Sequence, residues 1–339
     1  MDTKDRILKK LIQNKGKFIS GEQISDKIGV SRTAVWKHIL KLKEEGYEIQ
    51  SVNKLGYQLI NYGDIYDKSA IVSKLNTKIL GQNLFFFDII DSTNDELKRM
   101  AASGACEGTV VVAKSQTSGR GRRGRRWQSN ADDGIYMSIL LRPELLPKDV
   151  QCITLAASSA VCKVLKKYVE NNLGIKWPND ILIDNKKVCG ILTEMSAEPD
   201  KVQAIILGIG LNVWNRTEDF NDELKDTATS LHINTEKEII RSTLVAQILK
   251  EFEDLYLHFI EKGSTAKFMN IWRAFSLTIG RDIIVYQGDK VWQAKALDVI
   301  DNGQLLVETP DGQRKTILSG EISIRDFDDS RVKDCAARQ

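Results

Sequence analysis

Apolar residues first recur at helical spacing in Ile7, Leu8, Leu11 and Ile12, which predicts an opening helix. A short second helix is expected over 19–29, stopped by Gly29, and Ser31 stands where an N-cap belongs ahead of a third helix over 32–42. Ala34, Val35, Ile39 and Leu42 make the inward stripe of that third helix, leaving Arg32, Thr33, Trp36 and Lys37 on the opposite side. Helix, tight turn and a second helix with a polar N-terminal half is the helix-turn-helix pattern, and Ser31 to Lys37 would meet bases and phosphates. Alternation over 47–52 and 57–60, about the turn Asn53-Lys-Leu-Gly56, adds a hairpin that would serve as a wing. A small helical domain used for protein contacts is the other reading of this pattern. A single unit of this kind reads few base pairs, so DNA binding would call for a dimer.

From 63 to 277 the pattern changes. Apolar runs at 84–90, 109–113, 135–141, 181–183, 188–195 and 202–209 read as strands, and 94–103, 152–169, 238–261 and 265–275 read as helices. The two kinds do not alternate strictly, which favours an α+β domain over a doubly wound sheet. Beyond 278, short alternating runs are separated by Gly288-Asp289, Asp301-Asn-Gly303 and Asp311-Gly312, the turns of a small antiparallel β-barrel. The expected division is thus 1–62, 63–277 and 278–326, with 327–339 a polar, disordered tail.

Charge sharpens this division. Residues 1–62 hold 12 Lys and Arg against 7 Asp and Glu, whereas the remainder holds 37 against 39, so the basic excess belongs to the first segment and points to a polyanion partner. No apolar run approaches the roughly 18 residues that a membrane helix needs, and the Lys- and Asp-rich start lacks the apolar stretch of a signal peptide. A cytoplasmic protein with no membrane association is therefore expected. Five cysteines without CxxC spacing suit free thiols in a reducing compartment. With His38, His232 and His258 as the only histidines, neither a zinc cluster nor a Ser-His-Asp triad has material to work with, and no metal site is expected.

The chemistry concentrates in four polar clusters at strand ends. The most unusual is Ser118-Gly-Arg-Gly-Arg-Arg-Gly-Arg-Arg-Trp127, with five arginines and no acid. Glycines let backbone N–H groups approach an anion while guanidinium forks match phosphate, so a loop that is mobile when empty and closes over a phosphate-bearing ligand is expected. A basic surface loop or nucleic-acid contact is the plainer alternative. The others are Asp91-Ser-Thr-Asn94, Lys176-Trp-Pro-Asn-Asp180 with Lys187-Val-Cys-Gly190, and Gly208-Ile-Gly-Leu-Asn212. Each alone has an ordinary explanation: an N-cap at Ser92 or Thr93, a proline turn at Pro178, a bulge at Gly208 and Gly210.

Taken in order, these clusters closely resemble those of the bacterial biotin protein ligases. With the winged helix ahead of them, the chain is similar to the bifunctional ligases that also repress the biotin operon, from about residue 5 to Arg325. The resemblance implies a central mixed-sheet ligase domain of the class II aminoacyl-tRNA synthetase-like type and an SH3-like C-terminal domain. It implies that biotin and ATP, with Mg2+, form biotinyl-5'-AMP. Biotin would then pass to a lysine on the biotin carboxyl carrier domain of acetyl-CoA carboxylase, and the ligand-loaded homodimer would bind operator DNA.

Position by position, it implies that Ser92, Thr93 and Asn94 line the ureido end of biotin, with Gln116, Arg120, Gly121 and Arg122 as further contacts. Lys187 and Arg122 would be catalytic, neutralising charge where carboxylate meets phosphate; the alternative for Lys187 is a solvated hairpin lysine. Arg122, Arg123, Arg125, Trp127, Asn179, Asn212 and Arg325 would face ATP. Joining two anions needs positive charge and positioning more than a general base. Two other classes remain open at this point, a lipoate or octanoate ligase and a metabolite-sensing regulator without ligase activity. Against the former, the polar Asp91-Ser-Thr-Asn94 cluster suits a ring with N–H donors better than an aliphatic tail.

Overall fold

The structure, a computed structural model, describes residues 2–324 except 15, 62, 199, 288–289 and 319–320. At the N-terminus each helix starts on a side-chain cap. Asp2 accepts from Asp5 N–H ahead of α1 (Thr3–Gln13), Ser20 and Gln23 form a reciprocal capping box on α2 (Gly21–Ile28), and Ser31 accepts from Ala34 N–H ahead of α3 (Arg32–Glu44). Gly29 ends α2 at φ 76°, a left-handed conformation that costs glycine little. Strands β1 (Glu48–Val52) and β2 (Gly56–Asn61) pair as the expected antiparallel hairpin. Ile7, Leu8, Leu11, Ile24, Val35, Ile39, Leu42 and Leu59 bury together as a core of their own.

Helix α4 (Lys68–Lys74), which the sequence pattern had not singled out, joins this core to the next. Its Ala70 packs into the N-terminal core while the adjacent Ile71 packs into the main one. Asp64, just upstream, accepts the backbone N–H of Arg241 at 2.6 Å, its Nε at 2.5 Å and the Trp214 indole N–H at 2.7 Å.

The main sheet contains β3 (Leu84–Ile90), β4 (Val110–Gln116), β5 (Gly134–Leu141), β6 (Leu173–Lys176), β7 (Asp180–Ile183), β8 (Lys186–Ala197) and β9 (Val202–Asn212), in the order β3-β4-β5-β9-β8-β7-β6. Only β3 and β4 run parallel; the other neighbouring pairs are antiparallel, so the domain is mixed α+β as expected. Alternation along β4 shows how both faces are covered. Val110 and Val112 point into the large core, while Val111 points to the opposite face and packs with Leu97 of α5 (Thr93–Ala102). Helices α6 (Gln151–Leu165), α8 (Arg241–Lys262) and α9 (Ala266–Ala274) contribute to the large core, and the short α7 (Leu231–Asn234) lies between β9 and α8 in the chain. Helix α6 is buried almost all round, which explains its nearly unbroken apolar and small-residue sequence.

Strands β10 (Asp282–Gln287), β11 (Lys290–Val299), β12 (Leu305–Glu308), β13 (Arg314–Ile317) and β14 (Glu321–Ile324) form an antiparallel sheet in the order β13-β12-β11-β10-β14. The sequence turns predict a closed barrel, but no closed barrel is seen among the described residues. The four-residue strands β13 and β14 each bond one neighbour, and closure would need a further ladder between them. This sheet is not insulated from the main one: its Ile283, Val285 and Leu305 belong to the main core, and Trp177 Nε1 donates to Gly303 O at 3.1 Å. The expected turn Gly288-Asp289, Arg325 and the tail 327–339 lie outside the described residues.

Candidate functional site

A cavity of about 580 Å³ collects the four polar clusters. Its floor is the middle of β8 and β9, where Gly190 pairs with Gly210 and Leu192 with Gly208 in a regular ladder. The bulge that was the ordinary explanation for Gly208 and Gly210 is therefore absent; the ladder's irregularity lies at Ser196/Ala197. The glycines serve close packing instead. A Cβ on Gly210 would stand 2.6 Å from the Trp127 indole, one on Gly190 2.9 Å from the same ring, and one on Gly208 2.3 Å from Asn94 Oδ1. Two bare backbone strands thus form a slot for a flat indole, and one further glycine makes room for an amide.

At one end of the floor lies the N-terminus of α5, where Ser92 is the cap and accepts from Asp95 N–H. Gln116, at the end of β4, accepts from Thr93 N–H at 2.9 Å and from its hydroxyl at 3.1 Å. The Ser138 hydroxyl sits 2.8 Å from Thr93 Oγ1 and 2.5 Å from Asn94 Oδ1. Asn94 Nδ2 donates to Glu194 at 2.7 Å. Ser92, Thr93 and Asn94 are all buried, so this is a packed recess of neutral donors and acceptors. Asp91 turns the other way, towards the Arg99 guanidinium and Ser92 N–H, which hold its carboxyl below the usual range.

The arginine loop closes the recess as a folded hairpin. Gly121 N–H donates to Arg125 O at 2.7 Å, Trp127 N–H donates to Gly119 O at 2.9 Å, and Arg120 bridges to Arg126. Arg123 adopts φ 57° at the tip. Arg120 pairs with Asp95, and Arg122 donates to Asn179 Oδ1 at 3.2 Å, so the hairpin is held from both sides. Trp127 Nε1 is buried without an acceptor among the described residues.

Lys187, on β8, reaches over this indole with Nζ 5.3 Å from the ring centroid and 2.7 Å from Asp180 Oδ1. It lines the cavity, unlike the solvated hairpin lysine that was its alternative. Asn179 and Asn212 line the cavity too, each tethered by its amide nitrogen, Asn179 to Ile191 O at 2.8 Å and Asn212 to Thr229 O at 3.0 Å.

Ser92, Thr93, Asn94, Gln116, Arg120, Gly121, Arg122, Arg123, Arg125, Trp127, Asn179, Lys187 and Asn212 therefore share one cavity although 120 residues separate the first from the last. Arg325 falls outside the described residues. On the N-terminal unit the cap Ser31 and Arg32, Thr33, Trp36 and Lys37 of α3 are all exposed, and Trp36, at 51% exposure, lies outside the N-terminal core.

Sequence reading missed Ser138, Asp180 as the partner of Lys187, and Glu194. Each is a single polar residue inside or beside an apolar strand, a signal too common to single out. Burial alone would raise the Glu194 carboxyl, but hydrogen bonds from Lys98 and Asn94 and the charges of Lys98 and Arg120 hold it below the usual range.

The matches to known proteins follow the same order along the chain. Residues 3–58 match the model of an HTH domain, 86–212 that of the biotin/lipoate A/B protein ligase family, and 278–325 that of the biotin protein ligase C-terminal domain. The bifunctional ligase/repressor BirA of Bacillus spizizenii is 43% identical over 307 residues, covering 91% of this chain and 94% of that protein. The Escherichia coli protein of the same name is 30% identical over 316 residues, with 91% and 94% covered. A solved structure of the Aquifex aeolicus biotin protein ligase, in complex with biotin and ATP, aligns at TM-score 0.61 and 34% identity over 72% of this chain and 99% of that one. With such identity sustained across all three segments, the chain belongs to the bifunctional ligase/repressor family of biotin protein ligases.

Proposed function

We propose that the chain joins the carboxylate of biotin to the α-phosphorus of ATP with loss of pyrophosphate, and then transfers biotin from biotinyl-5'-AMP to a lysine of a carrier domain. The observation that carries this reading is the division of one cavity into two chemistries. The α5 recess offers neutral hydrogen-bonding groups, as a ureido ring requires, and across Trp127 the arginine hairpin and Lys187 offer positive charge. The reacting carboxylate and α-phosphate would meet between them, beside Lys187.

In the first step a biotin oxygen attacks phosphorus and the bond to pyrophosphate breaks; both partners are anions. Lys187 and Arg122 would lower their repulsion by fixed charge, and no proton need be removed. Asp180 holds the Lys187 ammonium in place. In the second step a neutral lysine amine attacks the acyl carbon, AMP leaves with the bonding electrons, and the nitrogen gives up a proton to solvent or to the departing phosphate, leaving an amide. Magnesium would enter as the ATP chelate, bound chiefly by phosphate. Trp127, Asn179 and Asn212 line the nucleotide side, with Arg325 assigned to the phosphates from the sequence.

The carrier domain of acetyl-CoA carboxylase is the proposed acceptor, and the cytoplasm the place of reaction. The proposed division is 1–62 for DNA, 63–277 for catalysis in a class II synthetase-like fold, and 278–326 as an SH3-like module. The exposed Ser31 to Lys37 face and the wing support operator binding. Because one such face reads a short site, the loaded protein would act as a dimer, favoured when biotinyl-5'-AMP holds the arginine hairpin closed over it.

The test is incubation of the chain with ATP, magnesium and radiolabelled biotin or lipoate, followed by separation of adenylate and labelled acceptor domain. Biotinyl adenylate and biotinylated acceptor are expected. Label only from lipoate would assign the other acyl substrate, and no adenylate from either would leave a regulator without ligase activity.

A further inference from the structure

Glu194 sits on β8 seven residues beyond Lys187, beside the α5 recess. One oxygen accepts from Asn94 Nδ2 at 2.7 Å; the other accepts from Lys98 Nζ at 2.6 Å and lies 3.7 Å from Arg120 Nη2. A single carboxylate therefore touches both the recess and the first arginine of the hairpin. The environment keeps it ionised, since Lys98, Asn94 and Arg120 together outweigh the effect of its burial.

Ionisation matters because of what an asparagine amide is. Its two ends have nearly the same shape and opposite chemistry, so only hydrogen-bond partners decide which end faces where. A carboxylate accepts and does not donate, so the Glu194 oxygen can face only Asn94 Nδ2. The reversed amide would set two acceptors against each other. Asn94 Oδ1 is thereby directed to the Ser138 hydroxyl and over Gly208 on the cavity floor. The proposed biotin site would need an acceptor there, because a ureido ring presents N–H donors.

We propose that Glu194 is a positioning residue for the acyl substrate: it fixes the Asn94 amide with its oxygen over the recess floor and braces Arg120 on the same side. This rests on the reading that the recess receives the ureido ring of biotin. Its distinctive consequence lies in the isosteric variant Glu194→Gln. Glutamine has one acceptor and one donor end, and the Lys98 ammonium claims the acceptor. The glutamine Nε2 then faces Asn94 and turns the Asn94 amide over, which presents Nδ2 to the recess in place of Oδ1. A change that preserves shape thus inverts the hydrogen-bonding sense of the neighbouring site.

The experiment measures biotin- and ATP-dependent pyrophosphate exchange for the full chain and its variants. In E194Q the KM for biotin is expected to rise about tenfold or more, in keeping with a mispaired buried polar group. The KM for ATP and the kcat are expected to stay within about twofold to threefold, and the melting temperature close to the parent. E194A, which removes the acceptor, should raise the biotin KM in the same direction. If Glu194 acts through Asn94, then in an Asn94→Ala background the further change E194Q should alter the biotin KM less than about twofold. A biotin KM in E194Q or in a folded E194A within about twofold of the parent overturns the proposal. An equal loss in both KM values would likewise overturn it, by reducing Glu194 to a general support. Absence of exchange in the parent itself would instead overturn the assignment of the cavity to biotin and ATP.

Discussion

Two glycines on β9 lie under different halves of the cavity, and adding one methyl group to each should separate the substrates. A Cβ on Gly210 would lie 2.6 Å from Trp127 Cε2 and 2.7 Å from Nε1, against an ordinary contact of 3.4–4 Å. The indole must therefore move by about 0.8 Å or more, and it cannot settle towards β8, where Gly190 already leaves it only a bare backbone. Overpacking of this kind costs about 1–3 kcal/mol. If that cost appears as displacement of Trp127 from its ligand-competent place, nucleotide binding weakens by about 5- to 150-fold. The corresponding Gly208→Ala places its methyl 2.3 Å from Asn94 Oδ1 and should strike the recess instead. Pyrophosphate exchange with each substrate varied in turn checks this. Gly210→Ala is expected to raise the KM for ATP with little change for biotin, and Gly208→Ala to do the reverse. Equal effects of both variants on both substrates, in proteins that melt normally, would refute the two-compartment reading of the cavity.

Four further outcomes are expected. Lys187→Met removes the ammonium 2.7 Å from Asp180 and leaves that carboxylate facing the phosphates, so pyrophosphate release should slow by about 100-fold or more; an unchanged rate would remove Lys187 from the chemistry. Arg122→Ala breaks the link from the hairpin to Asn179, and a chase experiment should show faster escape of biotinyl-5'-AMP while some adenylation persists; retention equal to the parent would count against the lid. Replacing Arg32 or Lys37 by alanine should weaken operator binding and lower the slope of log affinity against log salt by about 1 for each phosphate no longer neutralised, as fluorescence anisotropy at several salt concentrations would show. Burial pushes the Cys152 thiol up to about 12 and those of Cys162 and Cys189 well above their usual range, so at pH 8 they stay protonated. Peptide mapping after alkylation of the native protein should find exposed Cys106 modified and those three intact.

The helix-turn-helix was the most legible part of the chain, because every cue for it is local. Gly29 and Ser31 act within one turn of their own position, and the stripe from Val35 to Leu42 needs only helical periodicity. The expected strand at 84–90 matches β3, and the run predicted at 202–209 extends in the structure to Asn212. Strand β6 escaped notice since its four residues contain a glycine and run straight into the polar turn at Trp177. The turns of the C-terminal segment foretold its hairpins, but turn residues do not reveal whether the two edge strands of the sheet meet, and among the described residues they do not pair.

The sequence by itself determined which residue types would be gathered: hydroxyls and an amide at a helix start, arginines and glycines in one loop, a lysine on a strand. Those requirements belong to the chemistry of the ligands and leave their mark as local clusters. Only the tertiary structure decided the glycines' purpose and the identities of Ser138 and Glu194. Their partners lie up to 114 residues away and meet them only when β8 and β9 stack beneath α5 and the arginine hairpin. Side-chain spacing along a chain records what touches within a turn or a hairpin. Pairing across sheet strands and between layers follows from the packing of the whole core, which no single stretch of residues encodes.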